Sequence, residues 1–464
     1  MRNPAKKEPI TQRLSPQWLM ALGFLFAILT GTFLLTLPAA NTNGTWMAPV
    51  AALFTATSAT CVTGLSVIDI GSELTLFGQL VVLTLIQLGG LGITTFGTFL
   101  LVLVGRRLSV QSEFVLMDAY GVEEVKGIRS LLLWTMGFTF LFEGIGTLLL
   151  WTRYLHPLPG VPAPANTWTS FYYAAFHAVS AFCNAGFSLH RDSMIPFQND
   201  LFFLGVIDLL LFFGGIGFLV TYNLVTIKFW RRNLKTRGRI SLHSKIALST
   251  SFLLIIAGMA TFLVLEWSNT LEGLPLASKL SCSLFQSVSP RTVGFNAVDM
   301  GQIKEVSRFT TILLMLIGGC PGSAAGGIKA TTLAVLVMTV VAMCKGRRET
   351  VIFSRTIPNT IVRESHVIFL LAIALVIVAY GTLLCTEYPQ KNDDAAKLLF
   401  ETVSAAATSG LSINHTASLS TAGRLVIIFC MYLGRLGPLA IALMIGTRDE
   451  SNRIRYPEEE IVVG

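Results

Sequence analysis

Charge is what this chain has least of. Only 13% of its 464 residues are Asp, Glu, Lys or Arg, while 53% are hydrophobic and the mean hydropathy is +0.66. A soluble protein of this length carries about twice that share of charge, so a soluble globular fold is excluded and the solvent is a lipid bilayer. Cysteine is equally uninformative: the seven, at 61, 183, 282, 320, 344, 385 and 430, are odd in number and contain no CxxC pair. That argues against a disulfide or zinc framework. The six histidines show no metal-ligand spacing. No phosphate-binding loop, dinucleotide fingerprint or nucleophile elbow occurs in a strand–turn–helix context, and no polar stretch is long enough for a catalytic domain. Within the apolar runs the charged residues are Glu143, Asp208 and Arg435, without a nucleophile–base pair. Neither an enzyme nor a covalent cofactor is expected.

What the chain has is long apolar runs. Those at 19–37, 80–104, 131–151, 201–227, 246–265, 310–343, 367–384 and 425–445 each approach or exceed the ~20 residues of a spanning helix. The first is not read as a signal peptide, because no small-residue cleavage site follows it. Eight spans put both termini on one side. That side, counted with the three loops between span pairs, holds 23 Lys and Arg against 8 in the opposite segments. The positive-inside rule makes it cytoplasmic. These loops also account for the formal charge of +8, so no nucleic-acid partner is needed.

The runs are organised as a fourfold repeat. Four loops interrupt them: Thr60-Cys61-Val62-Thr63-Gly64-Leu65, Asn184-Ala185-Gly186-Phe187-Ser188, Thr292-Val293-Gly294-Phe295-Asn296 and Thr408-Ser409-Gly410-Leu411-Ser412. A phenylalanine (Phe54, Phe176, Phe285, Phe400) precedes each loop glycine by 9 or 10 positions. A second cluster follows by 24 to 28 positions: Gly89-Gly90, Gly214-Gly215, Gly318-Gly319 and Gly434-Arg435. Self-similarity on this scale means four copies of one unit. The order expected is a cytoplasmic segment 1–18, repeat one 19–104, a loop 105–129, repeat two 130–228 and a basic loop 229–244. Repeat three 245–343, a loop 344–364, repeat four 365–446 and a cytoplasmic tail 447–464 complete it.

Inside each unit, between its two spans, lies a segment too short to cross: 51–59, 171–183, 280–290 and 397–407. A half-helix that enters the membrane and returns as an extended loop fits, because irregular backbone survives at that depth only where protein or water satisfies it. The fold class expected is therefore an all-α polytopic membrane protein of eight transmembrane helices and four re-entrant half-helices in pseudo-fourfold arrangement. Four loops meeting on the axis would present carbonyls to a dehydrated cation, with the half-helix C-termini pointing at it. Glycine at 64, 186, 294 and 410 would supply the φ values that this needs.

These loops, with Ser58-Ala59-Thr60, Ser289-Pro290-Arg291-Thr292 and Ser404 before them, resemble the selectivity-filter signatures of the Trk/Ktr/HKT superfamily of potassium transporters. The likeness covers essentially the whole chain and is nearest to the Ktr/Ntp-type membrane subunit, since span one leads straight into the first loop. It implies potassium uptake at a bacterial plasma membrane, with a filter built on Thr60, Cys61, Val62, Thr63, Gly64, Asn184, Ala185, Gly186, Thr292, Val293, Gly294, Thr408, Ser409 and Gly410. Potassium would be held by filter carbonyls. Gly64 stands where a serine marks the sodium-selective plant branch, which implies a potassium-type filter. The resemblance also implies a homodimer and a separate cytosolic nucleotide-binding ring (an RCK subunit). The basic segment 228–245 would serve as its docking face, as a topogenic signal or as a lipid contact. Sodium coupling is left open, as is a less selective path for sodium or ammonium.

Repeat three departs from the others. After Gly318 and Gly319 it reads Cys320-Pro321-Gly322-Ser323-Ala324-Ala325-Gly326-Gly327-Ile328-Lys329, which no continuous helix tolerates. A helix broken at mid-membrane is expected, a feature that marks transport sites. In the family resembled, this stretch is an intramembrane gate under the filter. Arg435, deep in span eight, is functional by default: it either faces the path or pairs with Glu143 or Asp208. Lys329 either belongs to the gate or snorkels to the cytoplasm, and Arg291 is expected to brace the third loop.

Overall fold

A computed structural model describes residues 16–92, 95, 128–157, 161, 164–226, 240–391 and 394–437. Both tails, the loop 105–127, most of the basic loop 229–244 and the ends of the second and eighth apolar runs lie outside the described residues.

The chain runs four times through one motif: a long helix, a short helix, a loop and a second helix. Repeat one comprises α1 (Pro16–Thr36), α2 (Pro49–Thr60) and α3 (Leu76–Leu91). Repeat two has α4 (Ile128–Leu155), α5 (Thr167–Phe182), α6 (Leu201–Gly215) and α7 (Phe218–Thr226). Repeat three has α8 (Leu242–Glu266), α9 (Leu276–Val288), α10 (Glu305–Leu316) and α11 (Ala330–Cys344). Repeat four has α12 (Asn359–Lys391), α13 (Ala395–Ala406) and α14 (Thr421–Leu436). Helix starts are set by local chemistry. Thr75, Asp200, Ser241 and Ser420 each accept a backbone N–H of the first turn, and Asn166 forms a reciprocal box with Thr169.

The long first helices cross by length alone: Gln17–Thr36, Leu131–Leu155, Leu242–Glu266 and Asn359–Glu387 are the four described helices that are apolar and long enough. They present bare apolar faces, such as Phe26, Phe252 and Val378. The molecule is an all-α polytopic membrane protein, and those faces meet lipid. The inner side of each is cut close by a glycine. A methyl at Gly31 or Gly146 would lie 2.5 or 2.7 Å from Leu85 or Leu210 of the second helix of the same repeat, the small-residue packing usual between membrane helices. The four repeat phenylalanines, Phe54, Phe176, Phe285 and Phe400, are wholly buried and anchor the short helices in the core; each burial is worth about 1.5–3 kcal/mol.

Two expectations need correction. The break foreseen for repeat three occurs in all four second helices. Helix α3 stops at Leu91 with Gly92 at φ +82°, and α14 stops at Leu436 with Gly437 at φ +85°. The run 201–227 is not one span: α6 and α7 meet at a 93° bend around Gly217, φ +92°. The physical reason is the second glycine cluster, taken up below. The loop 344–364 is also not purely irregular. Val351–Ile352 pairs antiparallel with Arg355–Thr356 through a turn whose central residues, Phe353 and Ser354, both have positive φ (48° and 59°), the hairpin geometry that suits strand twist. In repeat three the short helix ends at Val288, because Pro290 has no N–H to continue it.

Candidate ion pathway

The structure brings the four loops together. A methyl at Gly64 would lie 2.6 Å from the Ala185 oxygen, one at Gly186 1.9 Å from the Val293 oxygen, one at Gly294 2.9 Å from Gly410 Cα, and one at Gly410 1.9 Å from the Thr63 oxygen. Repeat one thus faces two, two faces three, three faces four, and four closes on one. All four glycines have positive φ (97°, 70°, 94° and 82°), and so do the residues two places before them, Val62, Asn184, Thr292 and Thr408 (57°, 58°, 82° and 49°). Eight left-handed residues at equivalent places, four of them not glycine, are not chance turns. A strand sends successive side chains, and with them its carbonyls, to opposite sides; this alternation of handedness turns them to one side. Backbone bonds fix the geometry at the short-helix ends. Thr63, Ala185 and Ser409 donate to Ser58, Ser180 and Ser404 carbonyls at 2.8, 2.7 and 2.7 Å, whereas Val293 donates to Ser289 at 3.0 Å.

Those serines occupy one place in every repeat. Ser180 Oγ donates to the Phe187 carbonyl at 2.8 Å, Ser289 Oγ donates to that of Phe295, and Gly64 N donates to Ser58 Oγ at 3.1 Å. Sequence reasoning quoted three of the four inside a motif but gave none a role. The signal was available: a serine five or six places before each loop glycine.

The second glycines make room for the first loops. A methyl at Gly89, Gly214 or Gly434 would fall 2.1, 1.9 or 2.2 Å from the carbonyl oxygen of Thr60, Phe182 or Ala406, the last residue of the short helix in the same repeat. In repeat three the corresponding Gly318 meets instead the Gly326 oxygen, at 1.9 Å. There the chain leaves the helix and forms a loop, closed at its neck by Gly318 N to Ile328 O (2.9 Å) and Ile328 N to Leu316 O (3.1 Å).

This 318–329 loop touches every other repeat. Cys320 N donates to the Gly215 oxygen and Phe218 N to the Gly322 oxygen, both at 2.9 Å, so the loop satisfies both sides of the α6–α7 break. Gly326 lies where a methyl would be 2.0 Å from Thr408 Oγ1 of repeat four. Arg435 Nη1 donates to the Ala324 carbonyl and Nη2 to that of Gly89 in repeat one, with Phe24 under its guanidinium at 5.9 Å. Lys329 Nζ reaches back to the Ala325 oxygen at 2.6 Å. Arg291 holds the start of the loop, donating to the Ser251 carbonyl (3.3 Å), its Oγ (3.2 Å) and the Gly318 carbonyl (3.5 Å). Pro321, Gly322 and Ser323 are half-buried, while Cys320, Ala324 and Ala325 are buried; Gly319 and Gly327 complete the neck. A cavity of ≈ 20 Å³, about one water, separates the ring from the loop and is lined by Asn184, Gly215, Ser251, Arg291, Val293 and Gly319.

None of these three cations is paired with a carboxylate among the described residues. Of the two acids considered for Arg435, Glu143 accepts from Gln87 (3.3 Å) and Cys183 (3.7 Å), and both oxygens of Asp208 are buried without a partner. The salt-bridge alternative is therefore absent from this structure; backbone carbonyls carry the arginine.

The family described as TrkH, cation transport protein, matches residues 13–454. The chain is 37% identical over 456 residues to the Ktr system potassium uptake protein B of Bacillus subtilis (strain 168), covering 97% of each. It is 36% identical over 465 residues to the potassium/sodium uptake protein NtpJ of Enterococcus hirae, covering 99% of each. It shares its fold with the crystal structure of the potassium transporter TrkH from Vibrio parahaemolyticus, at a TM-score of 0.69 and 16% identity over 96% of this chain and 87% of that one.

Proposed function

The chain belongs to the TrkH family of cation transport proteins, and from that premise we propose that it takes up potassium across a bacterial plasma membrane. The observation that carries the reading is the closed ring of four loops, each left-handed at its glycine and two residues before it. Carbonyls turned to one side replace the hydration shell of a cation. The proposed filter comprises Thr60 to Gly64, Asn184 to Gly186, Thr292 to Gly294 and Thr408 to Gly410. The membrane potential supplies the drive, ~2.3 kcal/mol per charge per 100 mV.

The 318–329 loop is the proposed gate. It crosses beneath the ring, and three unpaired cations hold it by carbonyls, so their charge raises the barrier to a passing cation. A segment bound to three different repeats moves only when those bonds exchange, which gives a partner a handle on conduction. The names of the relatives from Bacillus and Vibrio speak of a Ktr system, which supports a separate cytosolic nucleotide-binding subunit and a homodimeric membrane part. The printed activity of NtpJ, potassium/sodium uptake, supports testing sodium alongside potassium. Cytoplasmic termini follow from the basic loops.

Growth of a potassium-uptake-deficient bacterium at low external potassium, with this chain supplied, tests the proposal. Restored growth that fails with Gly64→Ser in sodium-rich medium is the expected result. No restoration while the chain is present in the membrane, or equal growth on sodium or ammonium flux, overturns potassium selectivity.

A further inference from the structure

The residue after each repeat phenylalanine is polar and buried: Thr55, His177, Gln286 and Glu401. The four occupy the same place on the short helices, yet the structure uses them differently. His177 Nε2 accepts the Leu189 N–H at 3.3 Å and meets Ser188 Oγ at 3.1 Å. Glu401 Oε1 accepts from Ser412 Oγ at 2.5 Å and from the Ile413 N–H at 3.2 Å, and Oε2 accepts from Thr416 at 2.5 Å. Ser188 and Ser412 are both two places after the loop glycine, and Leu189 and Ile413 three places after it. An imidazole and a carboxylate thus do one job: they accept the hydroxyl and the backbone N–H of the segment that leaves the ring.

In repeats one and three that job is not done. Thr55 Oγ1 and both polar atoms of the Gln286 amide are buried without a hydrogen-bond partner. Their loops are held elsewhere: Ser66 Oγ bonds forward to the Ile68 carbonyl, and Asn296 bonds to Val298 and, through Met194 and Ser193, to repeat two. Because the ring runs one, two, three, four, the tied loops stand across the axis from each other, and so do the untied ones.

The tie in repeat two also fixes a tautomer. A backbone N–H only donates, so Nε2 of His177 is an acceptor; Nδ1 carries the proton and donates to the Tyr173 carbonyl at 2.8 Å. Tyr154 of α4 completes the setting, its hydroxyl lying 2.8 Å from His190 Nε2, and His190 stacks on His177 at 5.0 Å. The imidazole is held from three sides, as a brace has to be.

We propose that His177 and Glu401 are positioning residues for ion discrimination: they hold one diagonal of the ring, Gly186 and Gly410, against contraction, while the Gly64–Gly294 diagonal adjusts to the ion. Neither side chain touches the path. A carbonyl cage rejects a smaller cation only if it resists closing around it, and a cage tied on two opposite sides cannot shrink symmetrically. The inference rests on the filter reading and adds the device that sets its stiffness.

Potassium and sodium uptake into cells lacking their own potassium uptake systems, expressing the full chain, tests it. His177→Leu and Glu401→Leu are expected to lower the potassium-over-sodium ratio about tenfold, the worth of roughly one buried hydrogen bond, chiefly by lowering the KM for sodium. His177→Gln and Glu401→Gln keep an acceptor and should restore the ratio to within about twofold. Thr55→Val and Gln286→Leu remove groups that hold nothing and should leave it unchanged. If the leucine variants do not reach the membrane, Ser188→Ala and Ser412→Ala remove one donor from the loop side, and a parental ratio in both overturns the proposal. So does a loss of equal size in Thr55→Val and Gln286→Leu. A parental chain that carries no potassium refutes the filter reading itself; one that discriminates while every brace variant matches it refutes the brace alone.

Discussion

The ring and the layer beneath it are built from the same four repeats, yet they treat symmetry in opposite ways. In the ring, each repeat contributes a left-handed pair, a serine at the helix end and a glycine against its neighbour. One layer down, the second helices all stop at the same place but with four different outcomes: a glycine cap at Gly92, a 93° bend at Gly217, the 318–329 loop, and Arg435 before Gly437. The comparison teaches that the break itself is obligatory, because the short helix ends there and needs space, while what fills the break is free to vary. Handling an ion asks for equivalence; controlling its passage asks for one element able to act differently from the rest.

The largest effect is expected from a change inside the ring. Gly410→Ala puts a methyl 1.9 Å from the Thr63 carbonyl at φ +82°, so it should abolish potassium-selective uptake. Gly437→Ala, at φ +85° with nothing within 4 Å, meets only the left-handed penalty of about 1–2 kcal/mol and should retain selectivity. Ion competition in liposomes checks both, and equal damage would erase the distinction between the layers.

Next comes the loop. Removing several residues between Cys320 and Gly327 should raise flux with selectivity kept, and should lower the melting temperature, since Gly215 O and Phe218 N lose their partners. A loop-shortened chain that folds and conducts no faster than the parent places control elsewhere.

A smaller effect is expected from Arg435→Ala. Both of its bonds go to carbonyls, Ala324 and Gly89, so its loss frees the loop without stranding an acid. Flux should change while purified yield and melting temperature stay near parental; Arg435→Glu should instead trap a cation. The least effect of all is expected from adding Asp208→Asn to Arg435→Ala. With no pairing between them the two changes should add, and a stability loss of about 3–5 kcal/mol rescued by the second change would reinstate the ion pair.

The ring was legible in the sequence because it recurs. One Asn-Ala-Gly reads as a turn, but four such loops at matched distances from a phenylalanine and a glycine pair do not. The break in repeat three was equally plain, since a proline and several glycines cannot sit in one helix. The other three breaks were not. Gly89-Gly90 and Gly214-Gly215 are embedded in Leu, Ile and Phe, and in an apolar run a glycine pair reads as a packing seam of a continuous helix. What stops the helix is a carbonyl from another segment 1.9–2.2 Å from where a side chain would begin, a fact of tertiary structure. Likewise the partners of Arg435 are backbone atoms, which residue types do not advertise, so the eye went to Glu143 and Asp208 instead. The braces at His177 and Glu401 share no residue type and escape any search by similarity, although their position after each phenylalanine is common to all four repeats.

The contacts of the ring run head to tail, from each repeat to the next and from the fourth back to the first. That is the interface of a cyclic homotetramer, here drawn through a single polypeptide. Four identical subunits would carry four arginines and four crossing loops on one axis, a crowd of positive charge and of backbone for which there is no room. Joining the copies in one chain releases each from having to equal the others: a mutation strikes one quadrant and spares three. The one loop and the one arginine are thus what covalent linkage makes affordable, a lock fitted to a single side of a door whose frame stays square.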